Sequence, residues 1–462
     1  MSRSDVVARL FAALGDRVDV DPGELDAARA DKSGQAAAGT PLAIVHAVSV
    51  EDVQETLRIA SATGTPVVTR GAGTGLAGGA NAGSGEIVLS VRQMDRILEV
   101  RPDDLLAVVE PGILNADLGR ALAPHGLWWA PDPASREVAT VGGNIATGAG
   151  GLLCAKYGVV RDAILGVDLV LADGRLLRLG HRSVKGVTGL DLTSLVIGSE
   201  GTLGVVVGAT LKLRRLIPGE TRTLAATFPN VRAAAEGATA VTAAGLQPAI
   251  MELMDATSFA AVHALLRLPA PEPGLAQLTV QTDGPAASAE AEAIADVLRA
   301  GGGTVRLAED DAEAELLWRI RRSMHPAIET LGTTLIEDVS VPRSALPAMF
   351  DEIARIEREF DLVIPTVFHA GDGNLHPNFV YDAAAGADAR DGVPDVIWAA
   401  ADDLFHAALR LGGTLTGEHG VGVLKRRWLV DELGEDQWEL QRQIARVFDP
   451  AGIMNPGKVF TR

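Results

Sequence analysis

Two glycine-flanked motifs late in the chain hold three of its nine histidines. The first is His369-Ala370-Gly371-Asp372-Gly373-Asn374-Leu375-His376, and the second is Thr416-Gly417-Glu418-His419-Gly420. Imidazoles seven residues apart on one unbroken strand face opposite ways, because strand side chains alternate. Asp372-Gly373 is a strong turn former, so the chain can reverse there and bring both rings to one place. Two neutral imidazoles and the Glu418 carboxylate make a facial set with open positions, suited to a divalent metal. Zn2+ is the expected ion, with Mn2+ or Fe2+ as alternatives. The structural alternative, histidines satisfied within tight turns, would win for any one of them alone. Three in two motifs favour the metal.

The earlier half carries glycine instead. Arg70-Gly71-Ala72-Gly73-Thr74-Gly75-Leu76-Ala77-Gly78-Gly79 follows a short β-branched run at 65–69. Glycines let a backbone come close to a diphosphate and offer it N–H donors. A nicotinamide-type fingerprint would need a helix directly after the glycines, and Ala80-Asn81-Ala82-Gly83-Ser84-Gly85 cannot start one. Taken alone, this loop is evenly balanced between a phosphate cradle and a structural turn. A second cluster, residues 131–151, tips the balance. It runs from Pro131, Asp132 and Ser135 through Thr140, Gly142, Gly143, Asn144, Ala146 and Gly148. A third, Gly198-Ser199-Glu200-Gly201-Thr202-Leu203-Gly204, precedes Val205 and an apolar strand. Such a density of glycine suggests a long cofactor threaded between loops.

These motifs, taken in order with Lys156-Tyr157-Gly158 and the late Asn455-Pro456-Gly457-Lys458, resemble the vanillyl-alcohol-oxidase superfamily, whose FAD-binding domain is called PCMH-type. Within it the chain is most similar to the D-lactate, glycolate and D-2-hydroxyglutarate dehydrogenases, over nearly its whole length. The resemblance implies that Arg70, Gly71, Ala72, Gly73, Thr74 and Gly75 cradle the FAD pyrophosphate. Residues 131–151, with Glu200, Gly201, Gly204 and Val205, would line the rest, and Asn455 would return over the flavin. Relatives with covalent flavin carry a histidine just after the first loop. This chain has none there, so FAD is expected to be non-covalent. Cys154 is expected to be a buried small hydrophobe rather than a flavin attachment point.

The resemblance further implies that His369, His376 and Glu418 bind the metal, that Asn378 contacts substrate and that His419 is the base. Arg321 matches the carboxylate-binding arginine, for which a planar guanidinium is suited; the helix register leaves Arg322 as the alternative. The implied reaction is oxidation of a small D-2-hydroxy acid to the 2-oxo acid by hydride transfer to flavin. Electrons would then pass to a separate acceptor: an electron-transfer flavoprotein, a cytochrome or a quinone. One departure bears on the substrate. The hydroxyglutarate enzymes carry a lysine on the strand before Asp338-Val339-Ser340, and here those positions read Leu335-Ile336-Glu337. A monocarboxylate such as lactate or glycolate is therefore favoured over D-2-hydroxyglutarate, with a D-lactate-like acid the expected substrate and glycolate or D-2-hydroxyglutarate the alternatives. A flavin-bearing subunit of a larger electron-transfer complex is the alternative of a different class.

The elements that must position these groups differ between the halves. Ser49 and Asp52 form a capping box ahead of a helix with Val53, Leu57 and Ala60 on one face. Runs at 87–91, 105–110 and 204–213 read as strands, and 167–171 with 176–179 as a hairpin about Asp173-Gly174. Pro218-Gly219 marks a boundary. Beyond it, strand-like runs at 221–228, 249–254 and 277–282 alternate with helices at 286–300, which follows an Asp283-Gly284-Pro285 turn, and at 313–325, 344–360 and 395–411, the helix at 313–325 stopped by Pro326. The expected class is α+β: a two-part PCMH-type FAD-binding domain over 1–217 (core about 38–217), then an α+β substrate domain with an antiparallel sheet over 218–440. A tail, 441–462, returns to the FAD domain.

Composition sets outer limits. With 462 residues, 47% of them hydrophobic, the chain is long enough for two or three packed domains. A net charge of −19 opposes binding to nucleic acid and to anionic lipid. A single cysteine excludes an intrachain disulfide. With no apolar run of membrane-spanning length and no signal-peptide pattern, a cytoplasmic protein is expected. A homodimer completes the partner expectations.

Overall fold

A computed structural model describes residues 3–382 and 392–460. The chain forms two compact units: Met1–Gly151 with Gly158–Leu216 and Glu418–Arg462, and Leu152–Tyr157 with Ile217–Gly417.

Among the described residues the first unit contains three sheets, the smallest a two-stranded pairing of Leu127–Trp128 with Arg214–Arg215. One orders Val18–Asp19, Ala43–His46, Ile87–Ser90 and Val67–Arg70, the last three parallel. Helix Val50–Thr63 buries Val53, Leu57 and Ala60 in the core of this sheet. Ser49 caps its start by accepting from Asp52 N, and Gly64 ends it at φ 65°. The expected capping box is only half formed, because the Asp52 carboxylate accepts from Val48 N instead of Ser49 N. The second sheet is antiparallel: Ile97–Arg101, Leu106–Val109, Val205–Lys212, Ile164–Val170 and Leu176–Gly180. Its last two strands are the hairpin expected around Asp173-Gly174. The C-terminal residues return to the parallel sheet, where Met454 bridges Val67 and Asn455 N donates to Val67 O. The return begins at Glu418, well before residue 441, because Val423 N bonds Ala77 O and the Val421 and Gly422 amides bond the Glu200 carboxylate.

The second unit is built on an eight-stranded sheet. Its order is Thr304–Leu307, Glu220–Phe228, Ala276–Gly284, Ile250–Met254, Thr366–His369, Asn374–Tyr381 and Thr333–Ile336, with Val339–Ser340 also paired to Asn374–Tyr381. Every strand pairing in it is antiparallel. Two local expectations are corrected. Asp283-Gly284 does not turn; the strand runs through Gly284, which pairs with Glu220. Nor does Pro326 stop a helix. Helix Asp311–Arg322 breaks at Ser323, and Pro326 lies in the first turn of Met324–Glu329, where its missing N–H costs no helical bond. No helix among the described residues is long and apolar enough to cross a membrane.

Candidate active site

In the first unit the three glycine loops meet. A Cβ on Gly71 would lie 2.4 Å from Thr140 Oγ1, so the first loop rests directly on the start of the second. Thr140 Oγ1 also accepts from Gly143 N, capping the turn of helix Val141–Thr147 that carries Asn144 and Ala146. Glu200 N donates to Ala146 O and Gly198 N to Ile145 O, joining the second loop to the third. The Asn455 amide then donates to Gly79 O and Glu200 O, tying the tail to loops one and three. Asn455 holds a φ of 42°, a left-handed conformation that asparagine tolerates better than most residues.

The expected cofactor residues play distinct parts here. The Arg70 guanidinium is used internally, donating to Ala30 O and Ala80 O beneath the loop that contains Ala72, Thr74 and Gly75. Gly73, at φ 68°, passes so close to it that a Cβ would lie 2.3 Å from Arg70 Nη2. Pro131 O accepts from Asn115, and Asp132 packs against Gly151. The Ser135 carbonyl accepts from Val138 and Ala139, closing a turn. Gly148 lies against Gly198, and Gly204 leads into the strand where Val205 is buried in the core. Around these loops, buried Asn144 Nδ2, Thr69 Oγ1 and Asn455 Oδ1 make no hydrogen bond among the described residues. Buried polar atoms of this kind need partners. Flavin and pyrophosphate present such groups, so the loops fit FAD.

Glu200 is a buried carboxyl of this unit. Burial pushes its carboxyl up to about 7, against the pull of the Val421 and Gly422 amides and of Lys425. Lys425 is itself only 2% exposed. In the same unit Glu418 lies against Gly150, where a Cβ would come within 2.4 Å of its Oε2, and His419 Nε2 is 3.9 Å from Glu418 Oε1.

The second unit brings His369 and His376 together by the hairpin expected of Asp372-Gly373. Thr366–His369 pairs with Asn374–Tyr381 in the register His369↔Asn374 and Val367↔His376. The two rings are thus diagonal neighbours on one face, with centroids 5.1 Å apart. Gly373 must be glycine: its φ is 93° and a Cβ would lie 2.2 Å from Val341 O.

Behind each imidazole stands a fully buried carboxylate. His369 Nδ1 is 2.7 Å from Glu252 Oε1, and His376 Nδ1 is 3.8 Å from Asp338 Oδ1. Asp338 is steadied by Thr416, whose hydroxyl donates to Oδ2. Burial pushes the Glu252 carboxyl up, but His369 and Arg321 together hold it below its ordinary value. Arg321 donates to Glu252 Oε2 through both Nε and Nη2, at 2.9 and 2.5 Å. Arg322 instead points outward to Glu315. With Nδ1 of His369 bonded to Glu252 and Nδ1 of His376 facing Asp338, Nε2 is the nitrogen by which each ring would bind a ligand, a donor set that fits a divalent cation. Asn378 is fully buried; its amide donates to Pro365 O and His376 O, and its Oδ1 has no hydrogen-bond partner among the described residues. Ile336 lies directly across from it in register.

Glu252 is absent from the sequence expectations, although a signal for it exists. It is the lone charge in the apolar run Ile250–Met254, and a charge placed there must be paired. Cys154, expected to be buried, is half-buried in helix Cys154–Tyr157. Lys156 and Tyr157 beside it both donate to Asp283, and Gly371 packs against Ala155.

Residues 217–459 match the family described as FAD linked oxidases, C-terminal domain, and residues 41–180 match the FAD binding domain family. The glycolate oxidase subunit GlcD of Bacillus subtilis is 38% identical over 426 residues, covering 91% of this chain and 89% of that protein. A D-lactate dehydrogenase of Archaeoglobus fulgidus is 35% identical over 421 residues, 90% of each. The mitochondrial cytochrome-dependent D-lactate dehydrogenase of Arabidopsis thaliana is 31% identical, over 98% of this chain and 80% of its own. Among solved structures, p-cresol methylhydroxylase superposes with a TM-score of 0.80 over 99% of this chain and 96% of that one, at 18% identity. That likeness establishes the PCMH-type fold.

Proposed function

The chain belongs to the FAD-linked oxidases, and on that premise we propose that it oxidises a D-2-hydroxy acid of the D-lactate kind to the 2-oxo acid. The observation that carries this reading is the pair His369 and His376, each backed by a buried carboxylate, on a hairpin of the second unit. Bound non-covalently, FAD supplies the hydride acceptor, and a divalent cation, Zn2+ ahead of Mn2+ or Fe2+, supplies charge that lowers the pKa of the substrate hydroxyl. His369 and His376 would hold that cation, with Glu418 as third ligand on the sequence pattern. His419, next to Glu418, would take the hydroxyl proton. Arg321 Nη1, which donates to no group among the described residues, is the arm left for the substrate carboxylate. Asn378 Oδ1 is the acceptor left for a substrate contact.

The wall near Asn378 supports a monocarboxylate. Ile336 is apolar, and Glu337 and Asp338, both fully buried, follow it in the chain. A second substrate carboxylate there would lack a cation and carry a penalty of several kcal/mol. A separate acceptor, an electron-transfer flavoprotein, a cytochrome or a quinone, would have to take up the electrons. A second reading, a flavin-bearing subunit of a larger assembly, is favoured by the Bacillus subtilis relative, which is named a subunit. The single cysteine agrees with a reducing compartment such as the cytoplasm.

Anaerobic flavin bleaching across D- and L-2-hydroxy acids tests the proposal. D-lactate or a short aliphatic homologue should bleach the chain, and acid precipitation should release the flavin to the supernatant. With a dye acceptor, D-lactate should exceed D-2-hydroxyglutarate in kcat/KM by about tenfold, or roughly 1.4 kcal/mol. The reverse order would mean that another cation lines the pocket. No turnover of any hydroxy acid by the isolated chain would favour the subunit reading.

A further inference from the structure

Glu252 stands at the middle of the second unit's sheet, on Ile250–Met254 between Ala276–Gly284 and Thr366–His369. It is directly opposite His369 in the antiparallel register, and Thr279 is opposite it on the other side. Direct cross-strand partners have Cβ atoms about 4.5–5.5 Å apart, so a glutamate there reaches an imidazole Nδ1 without strain. The observed separation is 2.7 Å. Its neighbours Met251 and Leu253 are buried, and Glu252 itself is 1% exposed. A carboxylate in such a place carries a large desolvation cost unless fully compensated, and two cationic or polar donors converge on it. Oε1 takes His369, and Oε2 takes both Nε and Nη2 of Arg321.

We propose that Glu252 is the positioning residue of this site, locking His369 to present Nε2 and engaging the Arg321 fork that would otherwise clamp substrate. This inference rests on the reading of His369 as a metal ligand. With Nδ1–H donated to Glu252, only Nε2 retains a lone pair for a cation, and the carboxylate raises its donor strength. The same geometry revises the part played by Arg321. The Nε–Nη2 edge is the one suited to bidentate carboxylate binding, and both of its donors point at one oxygen of Glu252. Arg321 therefore acts on the metal ligand through Glu252, and meets substrate through a single arm. A purely structural ion pair in the same place would stabilise the sheet, and even fix the tautomer of His369, without setting the affinity for metal.

The test is Glu252→Gln in the full chain. Glutamine keeps the shape, but one end becomes an NH2 that opposes either His369 Nδ1–H or the Arg321 donors. Zinc affinity, read by competition with a chromophoric chelator, should fall about 10–100-fold while FAD content stays that of the unaltered chain. In 15N-histidine NMR of the metal-free protein, His369 should be the Nδ1–H tautomer in the unaltered chain and lose that fixed state in the variant. Arg321→Lys should also weaken zinc, which loss of a substrate clamp alone would not do. Zinc affinity within about twofold of the unaltered chain and an unchanged His369 tautomer would overturn the proposal. Should Glu252→Gln fail to fold, Glu252→Asp, whose carboxylate is retracted by one methylene, must show the same two changes in smaller measure. Absence of zinc binding by the unaltered chain would defeat the metal reading, and a tautomer still fixed by Glu252 would then mark Glu252 as a structural partner only.

Discussion

In the first unit the groups offered to a ligand are mainly backbone amides and carbonyls on three glycine loops, packed so closely that a single Cβ would collide. In the second, on the proposed reading, they are side chains on a hairpin, with a buried carboxylate 2.7 Å from His369 Nδ1 and another 3.8 Å from His376 Nδ1. The first arrangement tolerates almost no added atom but contains few titratable groups. The second tolerates changes of charge poorly, because the buried Glu252 carboxylate is bonded to both His369 and Arg321. The loops can hold a cofactor without doing chemistry, and the hairpin can do chemistry only if its charges are balanced.

The largest effect should come from His376→Ala. Turnover with a dye acceptor should vanish while the flavin absorbance stays intact, a loss beyond the about 10–100-fold expected of an outer partner. Activity that survives both this change and exhaustive chelation would erase the contrast between the units and leave the hairpin structural. Gly71→Ala should produce the opposite pattern. Its methyl group would meet Thr140 Oγ1, so one loop must shift, at a cost of about 1–3 kcal/mol. We expect at least about tenfold weaker FAD retention on ultrafiltration, a factor worth about 1.4 kcal/mol, with zinc binding unchanged. Flavin bound as tightly as before would show that the loops yield more readily than their packing implies.

The smallest effect sharpens the one exception in the first unit, its buried Glu200. Below its ordinary value of 4.5 the carboxyl is protonated in both folded and unfolded chains. In the fold it keeps the proton up to about 7, whereas the unfolded chain has already released it. Stability is therefore fully present below pH 4.5 and falls as pH rises through this window, by at most about 3 kcal/mol. Glu200→Gln cannot ionise. Its melting temperature relative to the unaltered chain should rise by a few degrees between about pH 5 and pH 7.5. A difference independent of pH would mean that the Val421 and Gly422 amides and Lys425 hold Glu200 ionised throughout.

The two units also differ in how much of them could be read from sequence. The glycine loops were legible because glycine at that density has few other uses, and the hairpin because Asp-Gly between two histidines implies reversal. Several strands and helices between Val50 and Phe360 were visible in apolar periodicity, but helices Val231–Ala243 and Ala256–Leu265 were not read from it. What stayed hidden depended on distant partners. Glu252 lies 117 residues from His369, and only the register of Ile250–Met254 against Thr366–His369 brings them together. The true work of Arg70 was equally out of view, since its guanidinium serves Ala30 O and Ala80 O beneath the loop. Asp283-Gly284 reads locally as a turn, but nine-residue pairing with Glu220–Phe228 overrides that preference.

The bridge between Met454 and Val67 bears on how such a protein is made. The parallel sheet acquires its final neighbour from a segment synthesised nearly four hundred residues after it, with the whole of Ile217–Gly417 emerging in between. A nascent chain on the ribosome can close the second unit around its own antiparallel pairings while the flavin loops still lack the Asn455 clasp. Because domains tend to fold in order of emergence, an interrupted first domain inverts the usual sequence of events. The interior unit can close first, and the clasp on the flavin loops waits until Asn455 has emerged.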